Sequence, residues 1–148
     1  VLGLAVVRHD LPTEPQWDLK HYRRVCRRIV EGTQPGQTVF AFWSGYVAGS
    51  GREPATGMEN HFAVGVSERL NEAERRRYHI VGRRELARQF RRQDAAMVVL
   101  GAWMNEIDTA LDDEQMVRLL GEFTEHYYFE SEIDGVKLCL PVDHQPRR

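Results

Sequence analysis

The chain has 148 residues, 42% apolar and 28% charged, with a formal net charge of −2. That balance fits one globular domain, residues 1–148, with a core of its own, and excludes a disordered chain. The small net charge gives no whole-molecule attraction to nucleic acid, and no apolar run approaches the roughly 20 residues that span a bilayer as a helix.

The charge is uneven along the chain. Through residue 92 there are 16 basic and 10 acidic residues, a balance of +6; from residue 93 onward there are 4 and 12, a balance of −8. Either the two halves meet and neutralise one another, or a basic face looks toward an anionic partner or a membrane surface. The two cysteines, Cys26 and Cys139, fall on apolar faces and read as small buried hydrophobes. They supply no disulfide framework and no metal-ligand spacing.

Leu2–Arg8 reads as a first strand, or as the end of a longer apolar segment. Thr13 and Gln16 stand at capping-box spacing, and Pro15 suits a first helical turn, so a helix is expected from about Pro15 to Glu31. Leu19, Tyr22, Val25, Cys26 and Ile29 would form its inner face, and the basic residues from Lys20 to Arg28 its outer face. Gly32 ends it, and Pro35-Gly36 turns the chain. Thr38–Trp43, apolar on both faces, is expected at the centre of a covered sheet.

Residues 44–66 form a long connection with five glycines, in which Gly45–Gly49 is expected as a short helical turn. Ser67–Tyr78 reads as a helix, with Asn71 and Glu74 at capping-box spacing; His79-Ile80-Val81 reads as a short strand and Arg83–Gln93 as a helix with Leu86, Ala87 and Phe90 inward. A strand over Ala95–Leu100 follows. The last helix, capped by Asp112 or Asp113, runs to about His126 with Met116, Leu119, Leu120, Phe123 and Tyr127 inward. Asp134-Gly135 turns a hairpin joining Tyr128–Ile133 to Val136–Leu140, and Pro141–Arg148 is a frayed tail. The alternation predicts an α/β fold: a Rossmann-like three-layer sandwich with a mainly parallel sheet and the C-terminal antiparallel hairpin at its edge.

In open α/β sheets, ligands bind beyond the carboxyl ends of the strands. Two polar-aromatic clusters fall there. Trp43, Ser44 and Tyr46 follow the second strand, whose long loop ends in Glu59, Asn60 and His61; Trp103, Asn105 and Glu106 follow the strand ending at Leu100. Tryptophan rings beside hydrogen-bonding groups suit a sugar ring or an apolar tail, or they close the top of the core. Glu59 and His61 are the only catalytic candidates, as an acid–base pair; alternatively Asn60 and His61 fix the loop by bonding its backbone. One His with one Glu makes no metal site, and no metal or cofactor is expected. Gly49-Ser50-Gly51-Arg52 lacks the Walker lysine and the G-x-G-x-x-G spacing, so its glycines read as backbone devices. The arginine runs at 75–77, 83–84 and 91–92 read as solvated helix faces, with an anionic surface as the alternative.

Pro35-Gly36-Gln37-Thr38-Val39-Phe40-Ala41-Phe42-Trp43, then Tyr46, Gly51-Arg52-Glu53-Pro54, Val98-Val99-Leu100 and Gly135-Val136-Lys137-Leu138 occur in an order that resembles the soluble region of bacterial polytopic glycosyltransferases that use polyprenyl-phosphate sugars. Protein mannosyltransferases and lipid A aminoarabinose transferases belong to that class. The resemblance covers roughly residues 20–140. It implies an extracytoplasmic, membrane-associated accessory or binding domain that contacts sugar, lipid phosphate, acceptor or the membrane portion of a transferase. It carries over no catalytic residue, because that family's catalytic carboxylates lie in its membrane portion. The alternatives are a small stand-alone, cytoplasmic enzyme acting on a sugar or nucleotide through Glu59 and His61, and a protein-interaction scaffold using the arginine-rich helices.

Overall fold

The computed structural model describes residues 18–59, 66–101 and 113–144. The expected strand at Leu2–Arg8 and the end of the tail lie outside them. Helix α1 spans Leu19–Gly32, later than the expected start, and its N-cap is Asp18, whose carboxylate accepts from the Lys20 amide at 3.1 Å. His21, Val25, Cys26 and Ile29 are its buried residues. The buried stripe is thus rotated toward His21, and Leu19, expected inside, is 56% exposed. Thr33 closes the helix by donating to the Ile29 carbonyl at 2.6 Å. Pro35-Gly36 forms the expected turn, with Gly36 at φ 82°.

Strand β1 (Thr38–Ala41) is buried on both faces. Helix α2 (Ser44–Ser50) follows, then a two-residue strand, β2 (Glu53–Pro54). A 3-10 turn at Ser67–Arg69 and helix α3 (Glu72–Arg77) replace the single helix expected over Ser67–Tyr78. Asn71 and Glu74 make the predicted capping box. The strand expected at His79–Val81 is absent. His79 is left-handed at φ 54°, the Ile80 amide bonds the Arg75 carbonyl at 2.9 Å, and the His79 amide bonds that of Arg76. This six-to-one, five-to-two pattern is a Schellman cap: the residues finish α3 instead of starting a strand.

Helix α4 (Arg83–Arg92), strand β3 (Met97–Leu100), helix α5 (Asp113–His126), the hairpin β4 (Tyr127–Ile133) and β5 (Val136–Pro141), and a 3-10 turn at Val142–His144, within the stretch expected as a frayed tail, complete the described chain. The hairpin turn has Asp134 at φ 47° and Gly135 at φ 85°, as a primed turn requires. The five strands form one mixed sheet in the order β2-β1-β3-β5-β4. β2, β1 and β3 are parallel; β5 joins β3 antiparallel, and β4 joins β5 antiparallel at the edge. The parallel and antiparallel parts are thus more equal than the sequence suggests.

Alternation along the strands splits the core in two. Val39, Ala41, Met97, Val99, Val136 and Leu138 pack with Val25 and Ile29 of α1 and Val47 of α2. Phe40, Phe42, Val98 and Cys139 pack with Leu86 and Phe90 of α4 and Leu119 and Phe123 of α5. Strand β4 contributes to both clusters because its register slips between Phe129 and Ser131, leaving Glu130 as the extra residue of a bulge. Tyr127, before the bulge, joins the α4–α5 cluster; Ile133, after it, joins the α1–α2 cluster. The acidic and basic halves do meet: Arg24 pairs with Asp134, Arg28 with Glu130, and Arg91 with Glu122. Both cysteines are buried and unpaired, and among the described residues no helix is long and apolar enough to cross a membrane.

Candidate functional site

Strands β1 and β3 are adjacent and parallel, with Val39 opposite Met97, Phe40 opposite Val98 and Ala41 opposite Val99. Their carboxyl ends therefore share one edge of the sheet. From β1 the chain passes through α2 to β2 on one side; from β3 it passes through α5 to the hairpin on the other. Chain departures in opposite directions from neighbouring parallel strands create the crevice in which α/β proteins bind ligands.

Trp43 and Ser44, both half-buried, stand at this edge. Trp43 lies just before α2 and turns its indole back over the helix. Its ring packs edge-on against Tyr46 at 4.6 Å and Tyr22 at 5.7 Å, while Tyr22 and Tyr46 stack at 6.1 Å. Glycines make this possible. A Cβ on Gly45 would lie 2.5 Å from the Trp43 ring; one on Gly49 would lie 2.5 Å from Tyr22 Cζ and 2.7 Å from Cys26 Sγ. Gly45 and Gly49 are four residues apart on α2: Gly45 leaves room for the Trp43 ring, and Gly49 is the notch that seats the Tyr22 ring of α1. The Tyr22 hydroxyl donates to the Gly45 carbonyl at 3.2 Å. Of the glycines at 45, 49 and 51, it is Gly51, at φ 65°, that serves as the left-handed cap of α2.

Tyr46 is 2% exposed, and its hydroxyl lies 3.0 Å from His21 Nε2. It supports the Trp43 ring from below. Glu59 is exposed at the end of its described segment. Asn60, His61, Trp103, Asn105 and Glu106 lie outside the described residues, so the edge is defined by Trp43, Ser44 and the end of β3.

Sequence reasoning overlooked a second constellation. His21 is 1% exposed; its Nδ1 lies 3.0 Å from Asp134 Oδ2, and the same oxygen pairs with Arg24. The hydrogen bond with His21, helped by the Arg24 charge and opposed by partial desolvation, holds the Asp134 carboxyl below its ordinary range. Burial pushes the Tyr46 phenol up to about 12. Carboxylate, imidazole and phenol thus run in a line from the hairpin turn, through α1, to α2. Asp134 opens onto a cleft of about 340 Å³ between α1 and the hairpin, where Arg27 and Glu132 also lie. The signal in the sequence was the i, i+4, i+8 spacing of His21, Val25 and Ile29, which puts the imidazole on the apolar stripe.

Glu122, Glu125 and His126 near the end of α5 have ligand atoms within 4.8 Å of one another, but Arg91 already bonds Glu122 at 2.8 Å. Comparison of this chain with protein-family models, with curated proteins and with solved structures finds no significant match.

Proposed function

We propose that this chain is a binding or accessory α/β domain, with its ligand held in the crevice at the carboxyl ends of β1 and β3. The observation that carries the reading is the parallel pairing of those strands, with the chain leaving them in opposite directions. The division of the core between α1–α2 and α4–α5 supports a three-layer reading, in which such a crevice opens at the strand ends. Trp43, half-buried and braced by Tyr22 and Tyr46, offers a rigid aromatic platform beside the Ser44 hydroxyl. In sequence, Glu59, Asn60, His61, Trp103, Asn105 and Glu106 follow these strands and complete the proposed rim.

An aromatic platform beside small polar groups suits a sugar, which stacks its apolar face and hydrogen-bonds its hydroxyls. The resemblance to the soluble regions of polyprenyl-phosphate-dependent glycosyltransferases favours the same class, with the phosphate or lipid carrier as part of the ligand. In this reading the chain holds the donor or acceptor for a membrane transferase.

A thermal-shift screen with sugar phosphates, nucleotide sugars and short polyprenyl phosphates tests the proposal. A ligand present at about 100 times its dissociation constant adds about 2.7 kcal/mol to stability by mass action. The expected result is a shift with one class that Trp43→Ala removes. No shift with any class, or a shift that Trp43→Ala leaves intact, would overturn it.

A further inference from the structure

We propose that His21 is a proton-controlled switch between the hairpin turn and the Trp43 platform: the neutral ring, held by Asp134, accepts the Tyr46 hydroxyl hydrogen, and the protonated ring donates to the Tyr46 oxygen and turns that hydrogen away. The argument rests on hydrogen-bond bookkeeping in a buried site. Both ring nitrogens of His21 are engaged at 3.0 Å, one by a carboxylate and one by a phenol. A carboxylate only accepts, so Nδ1 must carry the proton. Nε2 of the neutral ring is then an acceptor, and the Tyr46 hydroxyl donates to it. In this state both ring nitrogens and the phenol hydrogen are matched.

Protonation turns Nε2 into a donor. The Tyr46 oxygen can still accept, but its own hydrogen then loses its acceptor. Among the described residues, His21 is the only group bonded to that hydroxyl, and an unmatched buried donor is costly. An imidazolium makes a charge-assisted bond to the Asp134 carboxylate and to the Tyr46 oxygen alike, so both ring contacts persist. What changes is the Tyr46 hydroxyl hydrogen, which must turn away from His21.

The surroundings give the switch its direction. On α1, Arg24 shares Asp134 with His21, Arg28 is occupied by Glu130, and Tyr22 and Cys26 flank the phenol side. Arg27 and Glu31 of α1 and Glu132 of β4 line the cleft beyond Asp134, and Lys137 of β5 stands opposite Glu132 in the hairpin. On the α2 side, among the described residues, the groups that meet the ring are neutral: Tyr46 itself, backed by Tyr22 and Trp43. Among the described residues the charged neighbours thus lie toward the turn. The phenol hydrogen is the group that protonation leaves unmatched, and the indole packed on the phenol at 4.6 Å reports the change.

The test needs no ligand, so its outcome is independent of the proposed binding role. The full chain, with fluorotryptophan and 15N-labelled histidine, is titrated between about pH 8 and pH 5, where imidazoles change charge. The Trp43 signal is assigned with Trp43→Phe. The expected result is a neutral Nδ1–H tautomer for His21 at the alkaline end and a Trp43 fluorine shift that follows the His21 titration with the same midpoint. His21→Gln abolishes that shift. Tyr46→Phe, a milder change that keeps the buried ring, leaves His21 titrating but uncouples Trp43. An Nε2–H tautomer, a Trp43 shift that survives in either variant, or no Trp43 shift as His21 titrates would overturn the proposal.

Discussion

Gly49→Ala tests the packing under the site. In an isolated helix the change is favourable, because alanine exceeds glycine in helix propensity by about 1 kcal/mol. Here the new Cβ would lie 2.5 Å from Tyr22 Cζ and 2.7 Å from Cys26 Sγ. Tyr22 cannot retreat freely, because its ring is held between Trp43 and Tyr46. Overpacking a filled interface costs about 1–3 kcal/mol, and losing the Tyr22–Gly45 hydrogen bond adds about 1 kcal/mol. Set against the propensity gain, the net loss is about 1–3 kcal/mol. Gly121→Ala is the control: it lies inside α5 with nothing within 4 Å of its added Cβ, so it gains about 0.5–1 kcal/mol. Denaturant unfolding reads both as midpoint shifts of opposite sign at constant slope. Adding Tyr22→Ala to Gly49→Ala is expected to lose less than the sum of the two single changes. A Gly49→Ala chain as stable as the parent or as Gly121→Ala would refute the notch.

Three further outcomes follow from single groups. Asp134 has a folded pKa below its ordinary 3.8, so its stabilisation is complete above the unfolded value and is lost as pH falls through the folded one; the stability gap between the parent and Asp134→Asn, which preserves the turn, should close in acid denaturation. Tyr46 and Tyr127 are raised from 10.0 to about 12 by burial, so they favour the fold below the unfolded pKa and that contribution disappears as pH rises through about 12; ultraviolet titration should show these phenols ionising late. Tyr127→Phe removes a buried 3.0 Å bond to the Ala95 carbonyl and is expected to lower stability by about 1–2 kcal/mol in the same denaturant assay.

Much of the fold is legible in the sequence where local chemistry decides it. Asp134-Gly135 demands a primed turn, Asn71 and Glu74 form their box, and the apolar strands β1 and β3 lie at the sheet centre. The failures have a common cause. His79–Val81 has strand-like residues, but the α3 carbonyls needed closing and the Schellman bonds won. Strand β2, two residues long, carries no periodicity and exists only because β1 offers an edge. At the site, the strand ends were legible as a location. The role of Gly45 and Gly49 was not, since helix propensity argues against glycine there and only the rings of Trp43 over Gly45 and Tyr22 over Gly49 explain it. The Asp134–His21–Tyr46 line joins residues 113 and 25 positions apart, beyond the reach of any local pattern.

The most direct test of the account is an amide chemical-shift map, recorded while a ligand class that raises thermal stability is titrated into the full chain. The account predicts perturbations centred on Trp43 and Ser44 and on Leu100 and Gly101, the neighbouring ends of β1 and β3. Perturbations confined to the polar face of α1, or spread over α3 and α4 with the strand ends unchanged, would contradict it.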